Sequence, residues 1–416
     1  MKELAINGGA PVRSDAYPAW PSGADREIEA VTDVIRSGVW GGFPEPGRYA
    51  GRFEEAFAAY QGATHGILMA NGTVTMEVAL KALGIGWGDE VIIPALTFAA
   101  TAYAPIAAGA LPVIVDVTPD TWCIDPDLVE EAITPKTKAI MPVHLGHHMA
   151  DMDRIMEIAN QHGLAVVEDC AHAHGQRWRG RGAGCIGDFG SFSHQSSKIL
   201  TAGEGGSLLT SDEDLARRAH SLIDCGRAKD ANEMEYTFGA NYRLGELHAA
   251  LLVVAMERFP AQQAQRADSG KLFEELVAQV KGVRVMPVDP RVTRWSFYNY
   301  ILAIDPDAFA GRTNEVVCAA LEAEGIPAEV QYPPMSRYEL FQPSLSRLPV
   351  CVEFADRLDP QRMSLPVAEA AGLRESVYFM ENVFRDGTKG IEDAVEAIAK
   401  VQRHAGELPT GIAFRS

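Results

Sequence analysis

The sequence predicts an α/β chain, with a large layered domain on a mostly parallel sheet (residues 1–260) and a smaller α+β domain (261–416). Three observations carry this. Glu90–Pro94 (EVIIP), Pro112–Val117 (PVIVDV), Lys138–Val143 (KAIMPV) and Leu164–Asp169 (LAVVED) are short runs rich in β-branched residues with little polar alternation. Strands covered on both faces read this way. Between them Thr73–Leu83, Asp125–Ile133 and Met152–His162 carry apolar residues at helical spacing. Two closer-set strands, Phe189–Ser193 and Gly206–Thr210, complete a sheet centred on residues 64–210.

The elements that follow have a different rhythm. Residues 244–259 (LGELHAALLVVAMERF) predict a long apolar helix that stops near Pro260 and packs at a subunit contact. A strand over Phe297–Ile304, a helix over Thr313–Glu324, an extended stretch at Ala328–Tyr332 and a last helix near Ile391–Gln402 make up the smaller domain. The Pro- and Ser-rich residues 333–366 are read as loop.

Composition narrows the function. A formal net charge of −19 over 416 residues repels polyanions, so nucleic acid and anionic membrane surfaces are poor partners. No run approaches the roughly 18 apolar residues of a membrane span. The opening MKELAINGGAPVR lacks the apolar core of a secretory signal. The six cysteines contain no C-x-x-C pair. The cytoplasm is therefore the expected compartment.

Three segments carry chemistry. Asn71-Gly72-Thr73 opens a helix after an apolar stretch, and is either an anion seat at a helix N-terminus or a plain N-cap. Asp169 ends an apolar strand, where open α/β sheets bind ligands. Its carboxylate needs a partner, which could be a protonated ring nitrogen, an arginine or a helix terminus. Lys198 stands among small and hydroxyl residues (SFSHQSSKILTAGEGG), a setting in which a lysine can lose its proton and act as a nucleophile.

Together, SFSHQSSKILTAGEGG, EDCAHAHG, ANGTVTMEVAL and GANYRLGELHAAL resemble the DegT/StrS family of sugar and cyclitol aminotransferases, which are fold type I pyridoxal-5′-phosphate (PLP) enzymes. The resemblance implies that Lys198 is the catalytic lysine holding PLP as an internal Schiff base. Asp169 would then face the pyridine nitrogen, Phe98 would stack on the ring, and His172 would lie near the phenolic oxygen. Gly72, Thr73 and Ser193 would contact the phosphate. Asn241 would reach the phosphate of the neighbouring subunit, which makes a homodimer with shared active sites the expected assembly. Read without the family, Phe98 is a core aromatic.

By the same resemblance the amino donor is glutamine or glutamate. Met141–Asp153, Gln195 and Phe297–Tyr300 look closest to the scyllo-inosose aminotransferases and aminohydroxybenzoate synthases, which favours a keto-cyclitol acceptor. A nucleotide-linked keto-sugar is the alternative acceptor, and a PLP-binding regulatory protein without turnover is the alternative from another class. Two patterns are set aside. Gly182–Gly187 fits G-x-G-x-x-G without a preceding strand or following helix, and is read as a turn. His144, His147, His148, His172 and His174 lack the spacing of a metal site, and no metal is expected.

Overall fold

The computed structural model describes residues 3–42, 47–228 and 238–411. Nine strands precede the long central helix: β1 (His65–Met69), β2 (Glu90–Pro94), β3 (Leu111–Val115), β4 (Thr137–Ile140), β5 (Ala165–Asp169), the short hairpin β6 (Arg177–Trp178) and β7 (Arg181–Gly182), β8 (Phe189–Ser193) and β9 (Gly206–Thr210). Seven of them form one sheet in the order β1-β9-β8-β5-β4-β2-β3, in which β9 alone runs against the others. The α/β fold on a mostly parallel sheet is as the sequence predicts. The side-chain period of two divides each strand between two cores: Leu68, Ile92 and Val166 face one way, and Ile67, Val91 and Val167 the other. Both faces are thus apolar, which explains the unbroken hydrophobic runs.

Helices α1 (Asp25–Ser37), α2 (Arg48–Gln61), α3 (Gly72–Ala82), α4 (Ala100–Ala108), α5 (Pro126–Glu131), α6 (Met152–His162) and α7 (Glu213–Ile223) are distributed around this sheet. The helix α8 (Glu246–Val277) corrects an expectation, because it runs straight through Pro260. Proline removes one backbone donor and crowds the preceding turn. Here burial outweighs that cost: Phe259, Gln263, Arg266, Phe273 and Val277 are all buried on the helix's continuing inward face. The apolar face of the helix's first half is buried without any second subunit. Ala249, Ala250, Leu252, Val253 and Val254 pack into the chain's own core with Phe53 and Phe57 of α2, so their hydrophobicity is satisfied internally.

A second sheet, in the order β10-β12-β14-β13, is built from β10 (Val283–Val285), β12 (Asn299–Ile304), β13 (Ala328–Glu329) and β14 (Ser376–Met380), while β11 (Val292–Arg294) pairs with β6. Its core gathers Phe273, Tyr300, Phe379 and Phe384 with Ile391 and Ile398 of the last long helix, Gly387–Arg403. Leu4 and Tyr17 from the N-terminal segment join it.

Candidate active site

The carboxyl ends of β1, β2, β5 and β8 meet at one edge of the large sheet, where ligands bind in open α/β folds. The segments leaving those strands border a cavity of about 770 Å³. Gly72, Thr73, Phe98, Asp169, His172, Ser193 and Lys198, separated by up to 126 positions in the chain, all line it. Glycine is required where the strands converge. A Cβ at Gly72 would stand 2.7 Å from the Ser193 Cβ, and one at Gly206 2.4 Å from the Asn71 carbonyl carbon.

Lys198 is buried on the turn that leaves β8. Its N–H donates to the Gln195 carbonyl (2.9 Å), and the Gln195 side-chain oxygen accepts from the Ser197 N–H (2.9 Å) and hydroxyl (2.6 Å). Because the Ser197 proton goes to Gln195, the Tyr298 hydroxyl is the donor in its 2.9 Å contact with Ser197. The Tyr298 ring lies 4.0 Å from Nζ, and Trp20 Nε1 donates to the Lys198 carbonyl at 3.1 Å. Burial lowers the Lys198 pKa to about 8, against the pull of the Asp169 charge. About a tenth of the amine is therefore uncharged at pH 7 and about half at pH 8, far more than for a lysine in water.

Asp169 is buried at the end of β5. Desolvation pushes its carboxyl pKa up, while hydrogen bonds from Thr101 (2.8 Å to Oδ2) and the Ala171 N–H (3.2 Å to Oδ1) and the Lys198 charge oppose the rise. Thr97 in turn donates to Thr101 at 2.9 Å, since the Thr101 proton is directed at Asp169. No arginine pairs with Asp169 among the described residues, and of the readings left open for it that one falls away. The carboxylate is held in place with its charge still to be balanced.

The structure also locates Asn71 and Phe98. Asn71 Oδ1 accepts from the Thr73 and Val74 N–H groups (3.1 and 3.0 Å), so it is a true N-cap of α3. What Thr73 and Ser193 offer the cavity is their hydroxyls beside the positive end of that helix. Phe98 is 46% exposed, its ring 5.9 Å from that of Tyr332, at the cavity and not in the core. His172 is buried beside Lys198 and held far below its usual pKa by desolvation first and the lysine charge second, so it is neutral. Asn241 is exposed and does not line this chain's own cavity.

The glycine-rich Gly182–Gly187 turn has a local purpose. It wraps the fully buried Glu168, whose carboxylate accepts from the N–H groups of Gly184 (2.9 Å), Ile186 (2.7 Å) and Gly187 (2.8 Å). His144 Nε2 donates to the same carboxylate at 3.0 Å, because its Nδ1 accepts from the Ala150 N–H at 3.2 Å. His144, Glu168 and Cys170 bring possible metal-ligating atoms within 4.8 Å of one another, but both ring nitrogens of His144 and both oxygens of Glu168 are already engaged. Sequence reasoning missed Thr101 and Tyr332 as cavity residues and Trp20 as a neighbour of the lysine turn, and it marked Tyr298 only as part of the Phe297–Tyr300 segment. Nothing local singles them out, since each acts on a residue at least 68 positions away.

The profile of the DegT/DnrJ/EryC1/StrS aminotransferase family matches residues 21–383, and the chain belongs to that family. A relative in Streptoalloteichus tenebrarius, provisionally named L-glutamine:3-amino-2,3-dideoxy-scyllo-inosose aminotransferase, is 43% identical over 98% of this chain and 99% of its own. A second protein from that organism, L-glutamine:2-deoxy-scyllo-inosose aminotransferase, is 40% identical over 97% of this chain and 99% of its own. The crystal structure of 3-amino-5-hydroxybenzoic acid synthase, 32% identical, superposes with a TM-score of 0.82 over 95% of this chain and 100% of that one.

Proposed function

We propose that this protein is a PLP-dependent aminotransferase that moves the amino group of glutamine to the ketone of a polyhydroxylated cyclohexanone, a keto-cyclitol. The observation that carries the proposal is the meeting of Lys198 and Asp169 in one cavity, each with a pKa displaced by burial toward its neutral form. Such a cavity fits PLP: a lysine amine for the aldehyde, a carboxylate without an arginine for the ring nitrogen, and hydroxyls at a helix N-terminus for the phosphate. The aminotransferases of this family are PLP enzymes, and the full-length relatives with glutamine and inosose in their names favour the substrate pair.

PLP, when bound, supplies an aldehyde for the incoming amine and a ring that withdraws electrons. The protein does the rest. Asp169 keeps a proton on the ring nitrogen by offering an opposite charge. The Lys198 amine, its pKa lowered by burial to about 8, takes a proton from substrate carbon and returns it. Phe98 and Ala171 border the site as apolar walls. With glutamine and 2-deoxy-scyllo-inosose, the purified protein is expected to yield the aminocyclitol. Transfer only to nucleotide-linked keto-sugars would overturn the acceptor assignment.

The active site is further proposed to be shared in a homodimer, with Asn241 reaching the phosphate in the neighbouring subunit. Its exposure, away from its own chain's cavity, supports this reading. A Lys198→Ala chain keeps Asn241, and an Asn241→Asp chain keeps Lys198 but sets a carboxylate against a phosphate. Co-expressed heterodimers contain one site with both defects and one with neither, so they should recover about half of wild-type activity by this counting, above either homodimer. Heterodimers no more active than the homodimers, or an active monomer in sedimentation, would refute sharing. A reducing compartment, the cytoplasm, suits the six unpaired cysteines, and the division at residue 260 stays a proposal of two functional units.

A further inference from the structure

The cavity holds two tyrosines, Tyr298 and Tyr332, and the hydrogen-bond directions around them are not equivalent. Tyr298 gives its proton to Ser197, whose own proton is taken by Gln195. Tyr332 stands at the entry to the 333–366 segment, 160 positions from His172, and its hydroxyl lies 3.2 Å from His172 Nε2. The other ring nitrogen of His172, Nδ1, accepts the Gly146 N–H at 3.1 Å. A neutral imidazole that accepts at Nδ1 carries its hydrogen on Nε2. The Tyr332 oxygen is therefore the acceptor in the contact with His172, and its own hydrogen is directed elsewhere. No acceptor takes that hydrogen among the described residues.

We propose that Tyr332 is a specificity-determining residue whose hydroxyl, oriented by His172 and Gly146, donates a hydrogen bond to an oxygen of the cyclitol acceptor. The inference rests on the proposed function and assigns one recognition contact within it. Its geometry supports the choice of ligand. The Tyr332 ring lies 5.9 Å from Phe98 and 6.1 Å from His172, and it borders the same cavity as Lys198. Burial holds the phenol protonated far above neutral pH, so it is a lasting neutral donor. A lone neutral donor is enough for the uncharged hydroxyl or ketone oxygen of a polyol, whereas an amino acid's carboxylate also needs its charge balanced, which a cationic donor such as arginine supplies. Glutamine has such a carboxylate and the cyclitol does not, so the loss of this hydroxyl should fall on one half of the reaction.

The test separates the halves. Tyr332→Phe removes one hydroxyl and keeps the ring. In single-turnover measurements glutamine should convert the cofactor of PLP-loaded protein at a rate within about twofold of wild type, whereas kcat/KM for 2-deoxy-scyllo-inosose on protein loaded with pyridoxamine phosphate should fall about tenfold, the loss expected for one hydrogen bond. A second measurement does not depend on turnover. Calorimetric titration of 2-deoxy-scyllo-inosose onto Lys198→Ala protein loaded with the aminated cofactor, pyridoxamine phosphate, should show a Kd about tenfold higher when Tyr332→Phe is added. An equal loss in both half-reactions, or no loss in either with an unchanged Kd, overturns the assignment of Tyr332 alone. Wild-type protein that processes glutamine but neither binds nor aminates the cyclitol overturns the acceptor reading, and this inference with it.

Discussion

Replacing Lys198 with alanine is expected to abolish turnover, by at least about 10⁴-fold, because one side chain supplies both the anchoring amine and the proton carrier. Borohydride treatment of the wild-type protein with PLP should fix the cofactor to the peptide containing Lys198, and labelling of another lysine would remove this residue from its role. The same site carries an opposite effect on stability. Burial lowers the amine pKa from 10.5 to about 8, a penalty on the order of 3 kcal/mol on the protonated form. For a base with a depressed folded-state pKa, that penalty is complete below about pH 8 and fades as pH rises toward 10.5. Lys198→Met removes the ionisable amine and fills the space with an apolar chain. At pH 7 and without PLP, this variant should melt above wild type while being inactive, and the gain should shrink by pH 10. An inactive variant with an unchanged or lower Tm at pH 7 would mean the buried amine carries no strain.

Asp169→Asn keeps the shape of the side chain and removes its charge. Turnover should fall by roughly 10²- to 10⁴-fold, since the proton on the ring nitrogen then has no anionic partner. Circular dichroism and Tm should show an intact fold, because the amide oxygen can still accept from Thr101 or Ala171. A second readout follows from the lysine. The Asp169 charge raises the Lys198 pKa, so the amine of the Asn variant should titrate lower, and PLP capture at pH 7 should lose less to protonation. Near-native turnover in this variant would rule out the electrostatic role.

Lys198 and Asp169 were legible in sequence for a physical reason. A lysine among small hydroxyl residues and an acid at the end of an apolar run are both costly placements, and costly placements are local signals. The strands were legible because two buried faces leave no polar alternation. Thr101 and Tyr332 gave no such sign: a threonine in the first turn of an apolar helix and a tyrosine in a loop are ordinary, and each gains meaning only from a partner 68 or 160 positions away. The Gly182–Gly187 turn is legible only in part. Its glycines do surround an anion, but the anion is Glu168 of the same chain. The end of α8 was misread because proline is a local rule, while the buried face from Phe259 to Val277 is a tertiary fact.

That uninterrupted helix has a mechanical meaning. Its first half, at Ala249–Phe259, is embedded in the core beneath the large sheet, and its second half, at Phe273 and Val277, in the core of the smaller one. A rod of 32 residues, about 48 Å at 1.5 Å per residue, is clamped at both ends and has no free joint at its midpoint. The beam is not the only tie, since Tyr298, Ile301 and Ala303 of the smaller sheet's strand and its approach also enter the core beneath the large one. The floor and the far wall of the cavity are thus parts of one continuous packed body, and the Tyr332 ring is set opposite Lys198 by the fold itself.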